Sequence, residues 1–114
     1  MTPTRIHLDT KTQTLNISFQ EDQQLFSLPA EYLRVFSPSA EVRGHGSPIL
    51  QQGKAKVNIL KLLPIGNYAL KIEFDDGHDS GLFSFDYLYE LATEHEQRWA
   101  NYLEALEASN LSRD

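Results

Sequence analysis

Three aspartates surround one histidine in Asp75-Asp76-Gly77-His78-Asp79. A turn needs aspartate and glycine. It does not need that density of groups able to hold a metal or move a proton. Carboxylates and neutral imidazole suit divalent iron, zinc or manganese. If Gly77 bends the chain, Asp75 and His78 could approach one ion, but a second segment must complete the shell. Arg43-Gly44-His45-Gly46 offers His45, with Glu41 close by. His45, His78 and Asp75 thus form a candidate two-histidine, one-carboxylate site for iron or zinc. The same residues also have a purely structural reading, in which aspartate and glycine make the turn and His78 bonds the backbone. No HxxxH pattern on one rigid element adds to the metal signal.

Glycines flanking a basic residue can expose backbone N–H groups to an anion. Arg43-Gly44-His45-Gly46 has that character, although its spacing matches neither the Walker loop nor the dinucleotide fingerprint. Arg34 and Arg43 together could bind a carboxylate, a phosphate or an acidic protein surface. The candidate ligand- or partner-binding set is Arg34, Ser37, Arg43, Gly44 and His45, with Asn67, Tyr68, Asp76 and Gly77 from two turns. No catalytic constellation is visible. Ser37, Ser39, Ser80 and Ser84 lack a nucleophile-elbow context. Asp75 and Asp76 are adjacent, so in an extended segment they point to opposite faces. A non-enzymatic protein is expected.

Alternating apolar residues supply the scaffold. Ile6 and Leu8, then Leu15, Ile17 and Phe19, read as a hairpin across the turn Asp9-Thr10-Lys11-Thr12. Glu21 to Gln24 turns the chain again, and Leu25 to Leu28 form a third strand. Pro29 starts a short helix carrying Tyr32, Leu33 and Phe36, which stops at Ser37-Pro38. Residues 37–53 form a long irregular stretch, a length usually reserved for function or disorder. Val57 and Ile59 open another strand, and Pro64-Ile65-Gly66-Asn67 turns it. Tyr68, Leu70, Ile72 and Phe74 share a strand face by period two. From Ser84, a plausible N-cap, a helix runs to about residue 108. Leu88, Leu91, Ala92, Trp99, Tyr102, Leu103 and Leu106 form its apolar stripe, and His95 borders that stripe. Glu90, Glu94, Glu96, Glu104 and Glu107 make a solvated face. Residues 109–114 are expected to fray. The predicted fold class is α+β: a small, mainly antiparallel β-sheet with a short helix and a long C-terminal helix packed on one face.

The chain has 114 residues, 40% apolar and 23% charged, which is one domain of ordinary globular proportions. There is no cysteine, which removes disulfides, thiolate nucleophiles and any cysteine-held metal site. Sixteen acids against ten bases give a net charge of -6. Such a chain repels polyphosphates on average, so nucleic acid is not an expected partner. No segment has membrane-spanning or signal-peptide character. A cytoplasmic location is expected.

Three strings carry a family resemblance: Leu33 to Gly46, Pro64 to Ile72, and Phe74 to Leu88. Over residues 4–92 the chain resembles the gamma-butyrobetaine hydroxylase-like N-terminal domain family, in its stand-alone bacterial form. In that family the domain also precedes 2-oxoglutarate dioxygenase domains and follows Mrp-type ATPase domains that carry iron–sulfur clusters. The dioxygenase versions hold zinc through three cysteines and one histidine. The resemblance places His78 at that histidine and Ser37, Ser39 and Val42 at the cysteines. Serine hydroxyls are poor zinc ligands and valine is none, so the resemblance implies that this zinc site is lost. The catalytic iron residues belong to a different domain. The implied function is a non-catalytic accessory module acting through the 37–46 loop and the 75–79 turn. Its implied partner is an Mrp-type ATPase or a dioxygenase domain, in iron or iron–sulfur metabolism. The alternatives are an iron- or zinc-binding protein using His78, or a non-catalytic subunit of a dioxygenase-like enzyme. Phe83, Phe85 and Tyr87 near the turn suggest an apolar patch for a homodimer.

Overall fold

A computed structural model describes residues 1–38, 50–78 and 81–114. The expected strands form, but as two sheets rather than one. β1 (Pro3–Asp9), β2 (Thr14–Phe19) and β3 (Leu25–Pro29) make an antiparallel meander in the order β1-β2-β3. β4 (Ile59–Ile65), β5 (Ala69–Phe74) and β6 (Gly81–Ser84) make a second, in the order β4-β5-β6. The helix α1 (Ala30–Val35) follows β3 directly, with Pro29 as its N-cap residue.

Register explains the buried faces. In β2, Leu15, Ile17 and Phe19 are fully buried, while Thr14, Asn16 and Ser18 lie on the other face. Leu70, Ile72 and Phe74 do the same in β5, joined by Phe83 of β6. Each such side chain contributes about 1.5–3 kcal/mol by leaving water. Tyr68 departs from the expected strand face. It lies in the turn before β5 and is 56% exposed, because Gly66 at φ +56° begins a three-residue connection rather than a two-residue one. Gln13 ties the two sheets together. Its side-chain oxygen accepts the Ile59 N–H at 2.7 Å, and its carbonyl accepts the Ala30 N–H at 2.9 Å.

The C-terminal helix is divided into α2 (Phe85–Thr93) and α3 (His95–Ala108) at Glu94. The Thr93 hydroxyl donates back to the carbonyls of Tyr89 (3.0 Å) and Glu90 (3.3 Å), an arrangement that bends helices. Ser84 caps α2 as expected, accepting the Tyr87 N–H at 3.1 Å. α2 packs against β3 of one sheet and β6 of the other, and buries Leu88 and Leu91 between them. α3 serves a second cluster of Val35, Tyr102 and Leu106, flanked by Phe36, Leu50, Trp99 and Leu111. Leu103 falls off the buried stripe and is 39% exposed. No helix among the described residues is long and apolar enough to cross a membrane.

The tail does not fray. The Gly53 N–H donates to the Ser112 carbonyl (2.9 Å) and the Ala55 N–H to the Arg113 carbonyl (3.0 Å). The Arg113 guanidinium grips both Glu31 oxygens at 2.7 and 2.8 Å and lies 5.5 Å from the Trp99 ring centre. Leu111 completes the second cluster. A bidentate pair on a half-exposed arginine contributes modestly. Arg113→Ala is expected to cost about 1 kcal/mol and to speed hydrogen exchange at the Gly53 and Ala55 amides. Exchange followed by NMR checks this, and unchanged protection at both amides would show that the tail is held by other means.

Candidate functional site

The site begins where β5 ends. Backbone pairing carries past the strand, since the Asp75 N–H donates to the Asn58 carbonyl at 2.9 Å. The Phe74 N–H donates to the His78 carbonyl at 2.9 Å and closes the turn between them. Gly77 sits at φ +88° with open space around it, so glycine is there for the backbone conformation and not for a close approach.

The two adjacent aspartates have separate duties. Asp75 clamps Asn58, accepting its backbone N–H at 2.9 Å and its side-chain amide at 3.0 Å with one oxygen each. Asp76 turns inward. One oxygen accepts the His78 N–H at 3.2 Å, the local bond that makes the turn. The other accepts both Arg34 Nε and Lys54 Nζ at 2.9 Å. Burial alone would raise the Asp76 pKa, but the hydrogen bonds from Lys54 and Arg34 outweigh it and hold the carboxyl at about 2.

Arg34 is 5% exposed, and it also donates to the Gln51 side chain at 3.3 Å. A guanidinium so placed braces the fold. His78 is 3% exposed, and its Nε2 shares a 2.9 Å hydrogen bond with the Ser37 hydroxyl, itself 1% exposed. The His78 ring lies 5.9 Å from that of Phe74. Gly81 of β6 is tight against this pair, because a Cβ there would sit 2.8 Å from Ser37 Oγ and 3.1 Å from Phe83. The family resemblance puts Ser37 and His78 at one site; the residues alone carry no local signal for a contact that spans 41 residues. Lys54 and Gln51 were missed for the same reason.

Of the predicted set, Arg34, Ser37, Asp76, Gly77 and His78 converge. Asn67 and Tyr68 do not join them; they lie in the exposed β4–β5 turn. Arg43, Gly44 and His45, with Ser39, Glu41, Val42, Asp79 and Ser80, lie outside the described residues. The proposed metal shell is not assembled by the rest. Both Asp75 oxygens are taken by Asn58, the inward oxygen of Asp76 is shared by two cations, and the group facing His78 Nε2 is a hydroxyl. Among the described residues no three His, Cys, Asp or Glu side chains cluster to hold an ion. The apolar patch suggested for a dimer is also corrected. Phe83 and Phe85 are buried in the core, and Tyr87 donates its hydroxyl to the Phe36 carbonyl at 2.6 Å.

Both described flanks of the 39–49 segment are pinned to this network. Ser37 holds His78 on one side. On the other, the Gln51 side chain receives Arg34 and its carbonyl accepts the Tyr102 hydroxyl at 2.8 Å. The site is therefore a paired polar frame that sets a turn beside the two flanks of the 39–49 segment.

A family model described as gamma-butyrobetaine hydroxylase-like, N-terminal, matches residues 6–89. One protein solved by solution NMR is 55% identical, with 99% of this chain and 90% of the other covered and a TM-score of 0.88. Another NMR structure is 50% identical over 98% of this chain and 84% of its own, with a TM-score of 0.84. A crystal structure from Acidithiobacillus ferrooxidans, of a DUF971-family protein with unknown function, is 29% identical. It covers 79% of this chain and 91% of its own length, with a TM-score of 0.67. No curated protein matches.

Proposed function

The chain belongs to the gamma-butyrobetaine hydroxylase-like, N-terminal family, and from that premise we propose that it is a non-catalytic binding module whose working surface is the 37–46 loop beside the 75–79 turn. The observation that carries this proposal is the commitment of buried polar groups to posture rather than to an open pocket. Arg34, Asp76 and Lys54 fix the turn, and Ser37 with His78 fixes the loop's first end. Buried polar networks are costly unless they are fully paired. A network that holds the turn and the described flanks of the 39–49 segment fits a surface presented to a partner. The proposed partner is a separate protein chain, either an Mrp-type ATPase or a dioxygenase catalytic domain, and the setting is iron or iron–sulfur metabolism.

The test is affinity capture from the native cell, followed by calorimetry with the purified captured protein. Wild type is compared with a variant whose residues 39–46 are replaced by glycine and serine. The expected result is one stoichiometric partner, bound at least tenfold more weakly by the variant while its melting temperature is held. A partner that binds both proteins equally would overturn the assignment of this surface. Capture that returns no metal-handling protein would remove the proposed setting.

A further inference from the structure

A second surface, sharing no residue with the loop and turn, carries its own chemistry. An open groove of about 690 Å³ runs between the β2–β3 turn and the start of α3. Its walls include Asp22, Phe26, His95, Glu96, Trp99 and Leu103. We propose that this groove docks a lysine- or arginine-bearing amphipathic helix of a partner protein.

Shape gives the first reason. His95, Trp99 and Leu103 recur every four residues, so they form one stripe about 12 Å long on α3. That length matches two turns of a partner helix, which is how amphipathic helices are read in grooves. The stripe is preformed. The Trp99 ring is set by Tyr102 at 5.0 Å and by Tyr32 at 6.2 Å, and His95 stacks on Tyr32 at 4.2 Å. Phe26, opposite, packs edge-on against Tyr89 at 6.3 Å. Rigid aromatic walls lose little entropy on binding. Leu103 at 39% exposure leaves apolar surface for the partner.

Charge gives the second. Asp22 and Glu96 rim the groove, and among the described residues no lysine or arginine lines it. The cations nearest along the chain are spent elsewhere. Arg98 pairs with Glu90 and Glu94, and Arg113 pairs with Glu31. Burial holds the His95 pKa below its ordinary value, so its ring adds no positive charge at neutral pH. An acidic rim around an apolar stripe selects a cationic amphipathic segment and repels an acidic one.

Trp99 is the sole tryptophan and lines the groove, so its emission responds to binding there. The probe is a synthetic leucine–lysine amphipathic helix, beside a matched leucine–glutamate peptide. The lysine peptide is expected to shift Trp99 emission to the blue and to saturate. Its affinity should fall at least tenfold in Asp22→Asn/Glu96→Gln and also in Leu103→Ser, with amide shifts confined to residues 22–26 and 92–103. Equal binding of the glutamate peptide, undiminished binding by either variant, or shifts mapping elsewhere would overturn the proposal. So would sedimentation showing that a second copy of this chain fills the groove.

Discussion

Asp76→Ala should lower the unfolding free energy by about 2 kcal/mol, the loss expected when a partly exposed carboxylate that accepts charged hydrogen bonds is removed. Arg34 is 5% exposed and Lys54 shares the same carboxylate oxygen, so the alanine leaves two cations with no anion between them. The turn also loses the bond from the His78 N–H. Lys54→Ala should cost less, about 1 kcal/mol or below, because it removes the more exposed cation and leaves the Arg34–Asp76 pair intact. The sign of the pH effect follows from the depressed pKa. Asp76 titrates at about 2 when folded, against an ordinary aspartate near 3.9 when unfolded. Its stabilisation is therefore present above about pH 4 and is lost as the pH falls through about 2. Urea unfolding at several pH values checks both statements. Wild type should lose stability across that window more steeply than Asp76→Asn. Parallel curves, or an unchanged urea midpoint for Asp76→Ala, would remove Asp76 from the frame.

Gly81→Ala should cost about 1–3 kcal/mol by overpacking, and the cost should depend on Ser37. The added methyl would stand 2.8 Å from Ser37 Oγ, so the hydroxyl must leave and its bond to His78 with it. Ser37→Ala alone removes the same bond and should cost about 1–2 kcal/mol. Once either change has been made, the other has less left to disrupt. The double variant should therefore be less destabilised than the sum of the two by at least about 0.5 kcal/mol. The His78 ring resonances should move in both single variants. Strict additivity would mean that the glycine is required for something other than Ser37.

Period-two alternation was enough to read β2 and β5, because one buried face per strand leaves its mark on Leu15, Ile17 and Phe19, and on Leu70, Ile72 and Phe74. The cap at Ser84 was equally legible, being a local contact. Alternation says which residues turn inward but not which sheet they join, so two meanders were read as one. The helix break at Glu94 was hidden because no glycine or proline marks it, only a threonine bonding back along its own helix. The pinned tail was hidden for a different reason. Its grip on Glu31 spans 82 residues. In the candidate site, residue types pointed to Asp75, Asp76 and His78, yet the partners decide their roles. Asn58, Arg34, Lys54 and Ser37 are all distant in sequence, and they tie these side chains into a brace.

The tail also imposes an order in time. Each meander pairs only consecutive strands, so each can zip as soon as its third strand has been made. Val35, Tyr102 and Leu106 must wait for Leu111 and Arg113. Between Ser84 and Arg113 a ribosome working at roughly 5–20 residues per second takes about 1.5–6 seconds. For that interval both sheets can exist while the second cluster stands open to water and to chaperones. Substitutions in residues 111–114 should therefore show more strongly in the yield of newly made protein than in the stability of the finished fold.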